Sequence, residues 1–70
     1  MKLKCTFSQA PLLFNSGEVY EMQINKRCGM IFNEVKANNG FLITLHPGEH
    51  EGYVSAFSGA RLLADFEVME

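Results

Sequence analysis

The residues of this sequence that could do chemistry are few and are scattered along the chain. His46 and His50 flank a Pro-Gly turn that also holds Glu49, and two imidazoles with one carboxylate could bind zinc. We favour a solvated turn, because the two imidazoles need not face each other there and no Cys-x-x-Cys pair accompanies them. We therefore expect no metal and no other cofactor. The same turn could respond to pH, since Glu49 and Glu51 flank His50.

Nucleophilic catalysis has equally weak support in the sequence. No serine lies in a Gly-x-Ser-x-Gly turn. Cys28 could pair with His46 or His50, but a domain of this size has little room for a pocket of several hundred cubic ångströms. Cys5 lies in an alternating segment and is expected to be a small buried hydrophobe, and both cysteines are predicted to be free thiols. We therefore predict that the protein is not an enzyme.

Length and composition predict a single globular domain over residues 1–70. A chain of 70 residues buries only roughly 60% of the surface that it exposes when unfolded, so a second core is excluded. With 47% hydrophobic and 20% charged residues, the composition is that of a folded protein. The net charge of -2 provides no positive field to attract nucleic acid or anionic lipid. No apolar stretch reaches the length of about eighteen residues that a membrane span needs, and we expect a cytoplasmic location.

The hydrophobic pattern predicts an all-β domain. Residues 2–7, 18–24 and 65–69 alternate between apolar and polar side chains, which is typical of strands with one buried face. Asn39-Gly40 predicts a tight hairpin between residues 31–37 and 41–46. The predicted connections are an apolar loop over residues 8–17, turns over residues 25–29 and 46–50, a short strand over residues 51–54 and one helical turn over residues 55–59.

Five or six short strands in one small domain are expected to close into a barrel. Closure removes the strand edges that would otherwise promote aggregation. The nearly continuous apolar run over residues 41–45 fits a strand that is buried on both faces or that belongs to a barrel. In such a barrel the first and last strands lie side by side, so Lys2 and Lys4 could face Asp65 or Glu67.

The order of these elements resembles the Src-homology-3-like barrel. Three segments carry the resemblance: Phe-Asn-Ser-Gly-Glu-Val-Tyr at residues 14–20, the turn and strand at residues 48–57, and Phe-Glu-Val-Met at residues 66–69. The resemblance implies a small barrel of five or six strands with at most one short helical turn. Such barrels carry many unrelated functions, so the fold does not transfer one.

The sequence is also similar to short phage and prophage proteins. Gly-x-Val-Tyr-Glu followed by a hydrophobic residue, at residues 17–22, and Glu-Gly-Tyr, at residues 51–53, carry that similarity. It implies a bacterial or infected-cell cytoplasm and an accessory role, such as binding and inhibiting or otherwise modulating a host protein.

The groove in which Src-homology-3 domains bind polyproline helices is not expected in this chain. That groove is lined by several tyrosines and a tryptophan, whereas this sequence has no tryptophan and only Tyr20 and Tyr53. The acidic arm that reads a basic ligand residue is replaced by Gln-Ala-Pro-Leu-Leu at residues 9–13. Recognition of polyproline is therefore disfavoured.

The most informative stretch for binding is the apolar run in the first loop, Pro11, Leu12, Leu13 and Phe14. Leu13 or Phe14 could cap the open end of the barrel. Alternatively, Leu12 with Pro11 and Leu13 stays exposed and forms a contact patch with Phe57 or Met30. We therefore predict a non-catalytic protein-binding module, with these four residues and Phe57 as its partner-binding residues. A homodimer is an open alternative.

Two other hypotheses involve nucleic acid. Small barrels often bind RNA or DNA on a face that mixes aromatic and basic side chains, but here only Lys26 and Arg27 are adjacent in one predicted loop. Conversely, acidic side chains could imitate a phosphate backbone and block an enzyme that handles DNA, although a net charge of -2 is low for such a mimic. The acids in question are Glu49, Glu51, Asp65, Glu67 and Glu70. We expect a protein partner rather than nucleic acid or a membrane.

Overall fold

A computed structural model describes residues 1–69, and in that range the chain forms six β-strands and no helix. The strands are β1 (Lys2–Ser8), β2 (Val19–Arg27), β3 (Met30–Lys36), β4 (Leu42–Pro47), β5 (Tyr53–Ser58) and β6 (Arg61–Val68). Each strand pairs antiparallel with the next, and β6 pairs with β1 to close the barrel. The predicted all-β fold class is confirmed, and the architecture is consistent with a small Src-homology-3-like barrel. No helix that could span a membrane occurs in these residues.

The first and last strands lie side by side, as predicted. Leu3 is registered opposite Val68, and Lys4 opposite Glu67. The side chains of Lys4 and Glu67 nevertheless form no ion pair, since the ion pairs within residues 1–69 are Met1–Glu21 and Arg27–Glu34. The register therefore follows from the hydrophobic pattern and not from charge.

The predicted helical turn over residues 55–59 is wrong. Residues 55–58 belong to β5 and pair with β6, which begins at Arg61 and not at residue 65. Ser58 is registered opposite Arg61, so Gly59 and Ala60 form a two-residue turn, with Gly59 at a φ of 63°. The small side chains in this segment suggested a helical turn. Their size instead suits burial in the sheet, where Ser55 and Ala56 are both covered.

The predicted turn over residues 25–29 is shorter than expected. β2 continues to Arg27, and only Cys28 (φ 52°) and Gly29 (φ 77°) form the turn into β3. Positive φ at both central residues matches the twist of the flanking strands. The polar residues of β2 stay in the strand because they have cross-strand partners: the Asn25 amide donates to Glu34 Oε1 at 2.7 Å, and the Arg27 guanidinium donates to Glu34 Oε2.

The predicted hairpin between β3 and β4 is confirmed. Lys36 is registered opposite Leu42, and the Gly40 N–H donates to the Ala37 carbonyl at 2.9 Å to close the turn. The apolar run at residues 41–45 was interpreted either as a strand buried on both faces or as a strand of a barrel. The run contributes to a barrel strand, and it is not buried on both faces because Phe41 and Leu42 are exposed.

The core is built around three aromatic rings that meet edge to face. The centroid of Phe14 lies 5.2 Å from that of Tyr20 and 5.1 Å from that of Phe66, and Tyr20 and Phe66 lie 5.9 Å apart. Phe14 comes from the β1–β2 loop (residues 9–18), yet it is fully buried. The buried apolar residues are Leu3, Cys5, Phe14, Val35, Ala37, Leu45, Ala56, Leu63, Ala64 and Phe66.

Truncating Phe14 should destabilise the fold far more than truncating its exposed neighbour Leu12. Phe14→Ala removes a fully buried ring and should lower the free energy of unfolding by about 3–5 kcal/mol. Leu12→Ala, in the same loop, should change it by no more than about 0.5 kcal/mol. Urea unfolding of the two variants checks this. Equal losses would show that the loop is not anchored by Phe14.

Glu34 should make unfolding depend on pH. Hydrogen bonds from the Arg27 guanidinium and the Asn25 amide hold the pKa of the Glu34 carboxyl below its usual value of 4.5, and they outweigh burial, which acts in the opposite direction. A carboxyl whose pKa is lower in the folded state stabilises the fold above its unfolded-state pKa, and that stabilisation is lost as the pH falls through the folded-state pKa.

We therefore expect the stability of the wild type to fall, as the pH drops below about 4.5, by more than that of Glu34→Gln. Chemical unfolding at several pH values between neutral and strongly acidic gives the two curves. Glu18→Gln, which removes an exposed carboxylate from the β1–β2 loop, is the matched control. Parallel curves for wild type and Glu34→Gln would contradict the assignment.

Candidate functional site

The β1–β2 loop is held in one conformation by its own hydrogen bonds. The Ser8 hydroxyl donates to the Phe14 carbonyl at 2.7 Å, and the Ala10 N–H donates to the Ser8 hydroxyl oxygen at 3.2 Å. The N–H groups of Leu13 and Phe14 both donate to the Ala10 carbonyl, at 2.8 and 2.9 Å. Residues 10–14 therefore form a compact turn whose conformation does not depend on contact with solvent.

The same loop is tied to its neighbours on both sides. The Gln9 N–H donates to the Leu63 carbonyl of β6 at 2.8 Å, and the Asn38 N–H of the β3–β4 turn donates to the Leu13 carbonyl at 2.8 Å. The Tyr20 hydroxyl accepts from the Asn15 N–H at 2.7 Å and donates to Asn38 Oδ1 at 3.0 Å. A loop fixed at this many points presents its exposed side chains with little conformational freedom left to lose.

The loop divides its apolar side chains between the core and the surface. Phe14 has no exposed surface, and Leu13 is half-buried against the core. Pro11 is exposed, and Leu12 is 87% exposed, more than any other large hydrophobic side chain in residues 1–69. Each of the two alternatives for this apolar run therefore holds for part of it. Phe14 fills the barrel, whereas Pro11 and Leu12 face solvent. We omit Phe14 from the candidate surface because a buried ring cannot contact a partner.

The exposed part of the loop borders an apolar cleft of about 600 Å³. We call it the Leu12 cleft; its lining residues are Gln9, Ala10, Pro11, Leu12, Leu13, Asn39, Arg61 and Leu63. Gln9, Asn39 and Arg61 supply its polar groups, and Arg61 is the only charged residue among them. Asn39, Arg61 and Leu63 were missed from the sequence because the β3–β4 turn and the start of β6 reach the loop only through tertiary structure, whereas Gln9 and Ala10 lie in the loop but before the apolar run that begins at Pro11.

Phe57, the other predicted contact residue, lies elsewhere. It belongs to β5, is half-buried, and packs edge to face on His46 with the ring centroids 5.4 Å apart. Neither Phe57 nor Met30 lines the Leu12 cleft. The structure therefore places Pro11, Leu12 and Leu13 together and separates Phe57 from them.

The two histidines border one depression but pack near different aromatic rings. His46 packs on Phe57, whereas His50 lies near Tyr53 with the ring centroids 6.3 Å apart. Within residues 1–69, no group of three or more histidine, cysteine or acidic side chains is placed to hold a metal ion. The Ser55 hydroxyl donates to Asp65 Oδ1 at 2.6 Å, so this serine is bonded to a carboxylate rather than to an imidazole.

Several basic side chains lie beside acidic ones. Lys2 is registered opposite Glu21, and Lys4 opposite Glu67. The guanidinium of Arg27 is bound to Glu34. Acidic side chains thus lie next to three of the basic side chains that could otherwise bind the phosphates of a nucleic acid. Of the acids considered for phosphate mimicry, Glu70 lies outside the described residues.

Cys28 should be far more reactive than Cys5. Burial raises the pKa of the Cys5 thiol, which is fully covered and lies 3.4 Å from the Phe7 carbonyl, whereas Cys28 is exposed in the β2–β3 turn. A thiol reagent such as DTNB should therefore titrate one thiol in the native protein and two in denaturant. Cys28→Ser should abolish the native reaction, and Cys5→Ser should preserve it. Rapid native labelling of both thiols would contradict the buried position of Cys5.

Comparison of the chain with protein-family models, with curated proteins and with solved structures finds no match. The fold class therefore rests on the six-stranded barrel itself, and any function has to be inferred from the surface that the barrel presents. The Leu12 cleft is an apolar depression on that surface.

Proposed function

We propose that this protein is a non-catalytic protein-binding module whose contact surface is the Leu12 cleft. The observation that carries the proposal is that Leu12 is 87% exposed on a loop that is otherwise fixed. An apolar side chain on a mobile loop can turn toward the core, but here the backbone on both sides of Leu12 is hydrogen-bonded to the barrel. The leucine is held in water by the fold itself.

Such an arrangement favours binding for an energetic reason. Covering a large aliphatic side chain contributes about 1.5–3 kcal/mol, and a loop that is already ordered loses little entropy when a partner binds. Leu12 therefore acts as a preorganised anchor, with Pro11 and Leu13 extending the apolar area beside it.

The polar groups around the cleft provide the means of selecting a partner. Arg61 is exposed, and it has no ion-pair partner within residues 1–69. Gln9 and Asn39 add amide groups at the same rim, although the Gln9 amide already donates to the Leu62 carbonyl at 3.2 Å. An apolar centre with a polar rim is the usual composition of a protein interface, and it supports a protein partner over nucleic acid.

The biological setting of the module is also a proposal. The similarity of residues 17–22 and 51–53 to short phage and prophage proteins supports a cytoplasmic accessory protein that binds and modulates a host protein. The genes that flank the coding sequence test this setting. A lysogeny, replication or anti-defence cluster would support it, and a cluster of bacterial housekeeping genes would contradict it.

Leu12→Asp should weaken partner binding strongly. A carboxylate at the centre of an apolar contact would have to lose its hydration without a partner charge. We would isolate host proteins retained by the immobilised wild type, purify the retained protein, and measure its affinity for each variant by calorimetry. We expect Leu12→Asp to weaken binding by at least about 2 kcal/mol, as at an interface hot spot.

The matched control is Ile24→Asp, because Ile24 is a similarly exposed aliphatic residue on β2 outside the Leu12 cleft. It should leave the affinity unchanged. The proposal fails if the wild type retains no protein. It also fails if Leu12→Asp weakens binding to the purified partner no more than Ile24→Asp does.

A further inference from the structure

A second depression lies on the other side of β6, under the β4–β5 turn (residues 48–52). The turn folds back over the outer face of β5 and β6, so Gly48 and Glu49 line the same hollows as Ser55 and Asp65. The approach is close: a Cβ on residue 48 would lie 2.9 Å from the backbone of Tyr53. Two adjoining hollows of about 380 and 200 Å³ form one groove, which we call the Asp65 groove.

A carboxylate without a cation lies in this groove. Ser55 and Asp65 are registered opposite each other, and Ser55 is buried beneath the turn with 7% of its surface exposed. Its hydroxyl donates to Asp65 Oδ1 at 2.6 Å and so fixes the orientation of the carboxylate. Asp65 is half-buried, yet neither ion pair within residues 1–69 includes it. Charged groups taken out of water are stabilised by a cation or by hydrogen bonds, and the Asp65 carboxylate has one such bond, from Ser55, among the described residues.

The walls of the groove are apolar and aromatic. Pro47, Phe57 and Leu62 border one part, and Tyr53 with His50 borders the other. Glu49 contributes a second carboxylate at the rim of both parts. None of the residues that line the groove is a lysine or an arginine.

We propose that the Asp65 groove binds an arginine side chain of the partner protein. The groove combines what a guanidinium needs: a fixed carboxylate at its base, a second carboxylate at its rim, and aromatic rings at its walls. Arginine fits better than lysine because a planar guanidinium can bond a carboxylate through two N–H groups and also stack on aromatic rings. An ammonium group is more strongly hydrated and would leave the apolar walls uncovered.

The Asp65 groove and the Leu12 cleft share no lining residue, but both reach the start of β6, so a partner that extends across this strand would contact both. Leu62 borders the groove, while its chain neighbours Arg61 and Leu63 border the cleft. The Gln9 side chain connects the two surfaces through its hydrogen bond to the Leu62 carbonyl. The inference rests on the proposed protein-binding function and adds the chemistry of the partner: an apolar contact for Leu12 beside an arginine for Asp65.

The groove can be tested without the partner. Blocked five-residue peptides, alanine except for a central arginine, lysine or citrulline, are titrated into the ¹⁵N-labelled protein and followed by amide chemical shifts. The arginine peptide should shift the amides of Ser55 and Asp65, whereas the uncharged citrulline peptide should not. Asp65→Asn should weaken the arginine peptide about tenfold, the usual effect of losing a charge-assisted hydrogen bond.

Glu18→Gln is the matched control, because it removes one negative charge from a residue that does not line the groove. It should leave the arginine peptide bound as before. Glu49→Gln provides a second variant at an exposed rim position, should Asp65→Asn fail to fold, and it should weaken the peptide.

Three results would overturn the inference: equal binding of the lysine or citrulline peptide, equal weakening by Glu18→Gln, or shifts confined to residues outside the groove. Leu12→Asp separates the two proposals, because it should leave the peptide shifts at Ser55 and Asp65 in place while strongly weakening partner binding. Peptide binding without any captured partner would leave the groove standing and reject the proposed function.

Discussion

Phe14, Tyr20 and Phe66 meet edge to face inside the barrel, and most other features depend on their contact. Phe66 comes from the closing strand and Tyr20 from β2, but Phe14 comes from a loop. Its insertion fills the space that the strands alone leave open. In a chain of 70 residues, where the buried area is small, one loop-derived ring is a large part of the core.

The position of Phe14 also determines the surface. The turn that carries Phe14 inward is closed by the carbonyl of Ala10, so Pro11 and Leu12 project outward at the apex of the turn, while Leu13 stays half-buried against the core. Leu12 is exposed because the turn that buries Phe14 places Leu12 at its outer side. Core packing and the candidate binding surface are therefore two consequences of one loop conformation, and a change that freed Phe14 would also release Leu12.

Two carboxylates that the fold covers to different degrees show the difference between a structural and a candidate binding role. Glu34 is almost fully covered, and it receives a guanidinium from Arg27 and an amide from Asn25, so its charge is satisfied within the chain. Asp65 is half-buried and receives one neutral hydroxyl, from Ser55. The first stabilises the β2–β3 hairpin. The second leaves part of its charge available to a partner.

The sequence by itself determined the fold class and most of the strands. Period-two alternation predicted β1 and the first half of β2, and Asn39-Gly40 predicted the β3–β4 hairpin, because side-chain alternation and positive φ are local properties of the chain. Local rules failed where a distant partner decided the outcome. Asn25 and Arg27 remain in β2 because of Glu34, and residues 55–58 remain in β5 because they pair with β6.

The candidate site divides in the same way. The sequence identified Pro11, Leu12 and Leu13, since an apolar run in a loop is visible without coordinates. It did not show that Phe14 would be buried, that Phe57 would lie apart, or that Ser55 and Asp65 would share a groove. Those outcomes depend on which strands become neighbours when the barrel closes, and contacts between residues far apart in the sequence are fixed only by tertiary structure.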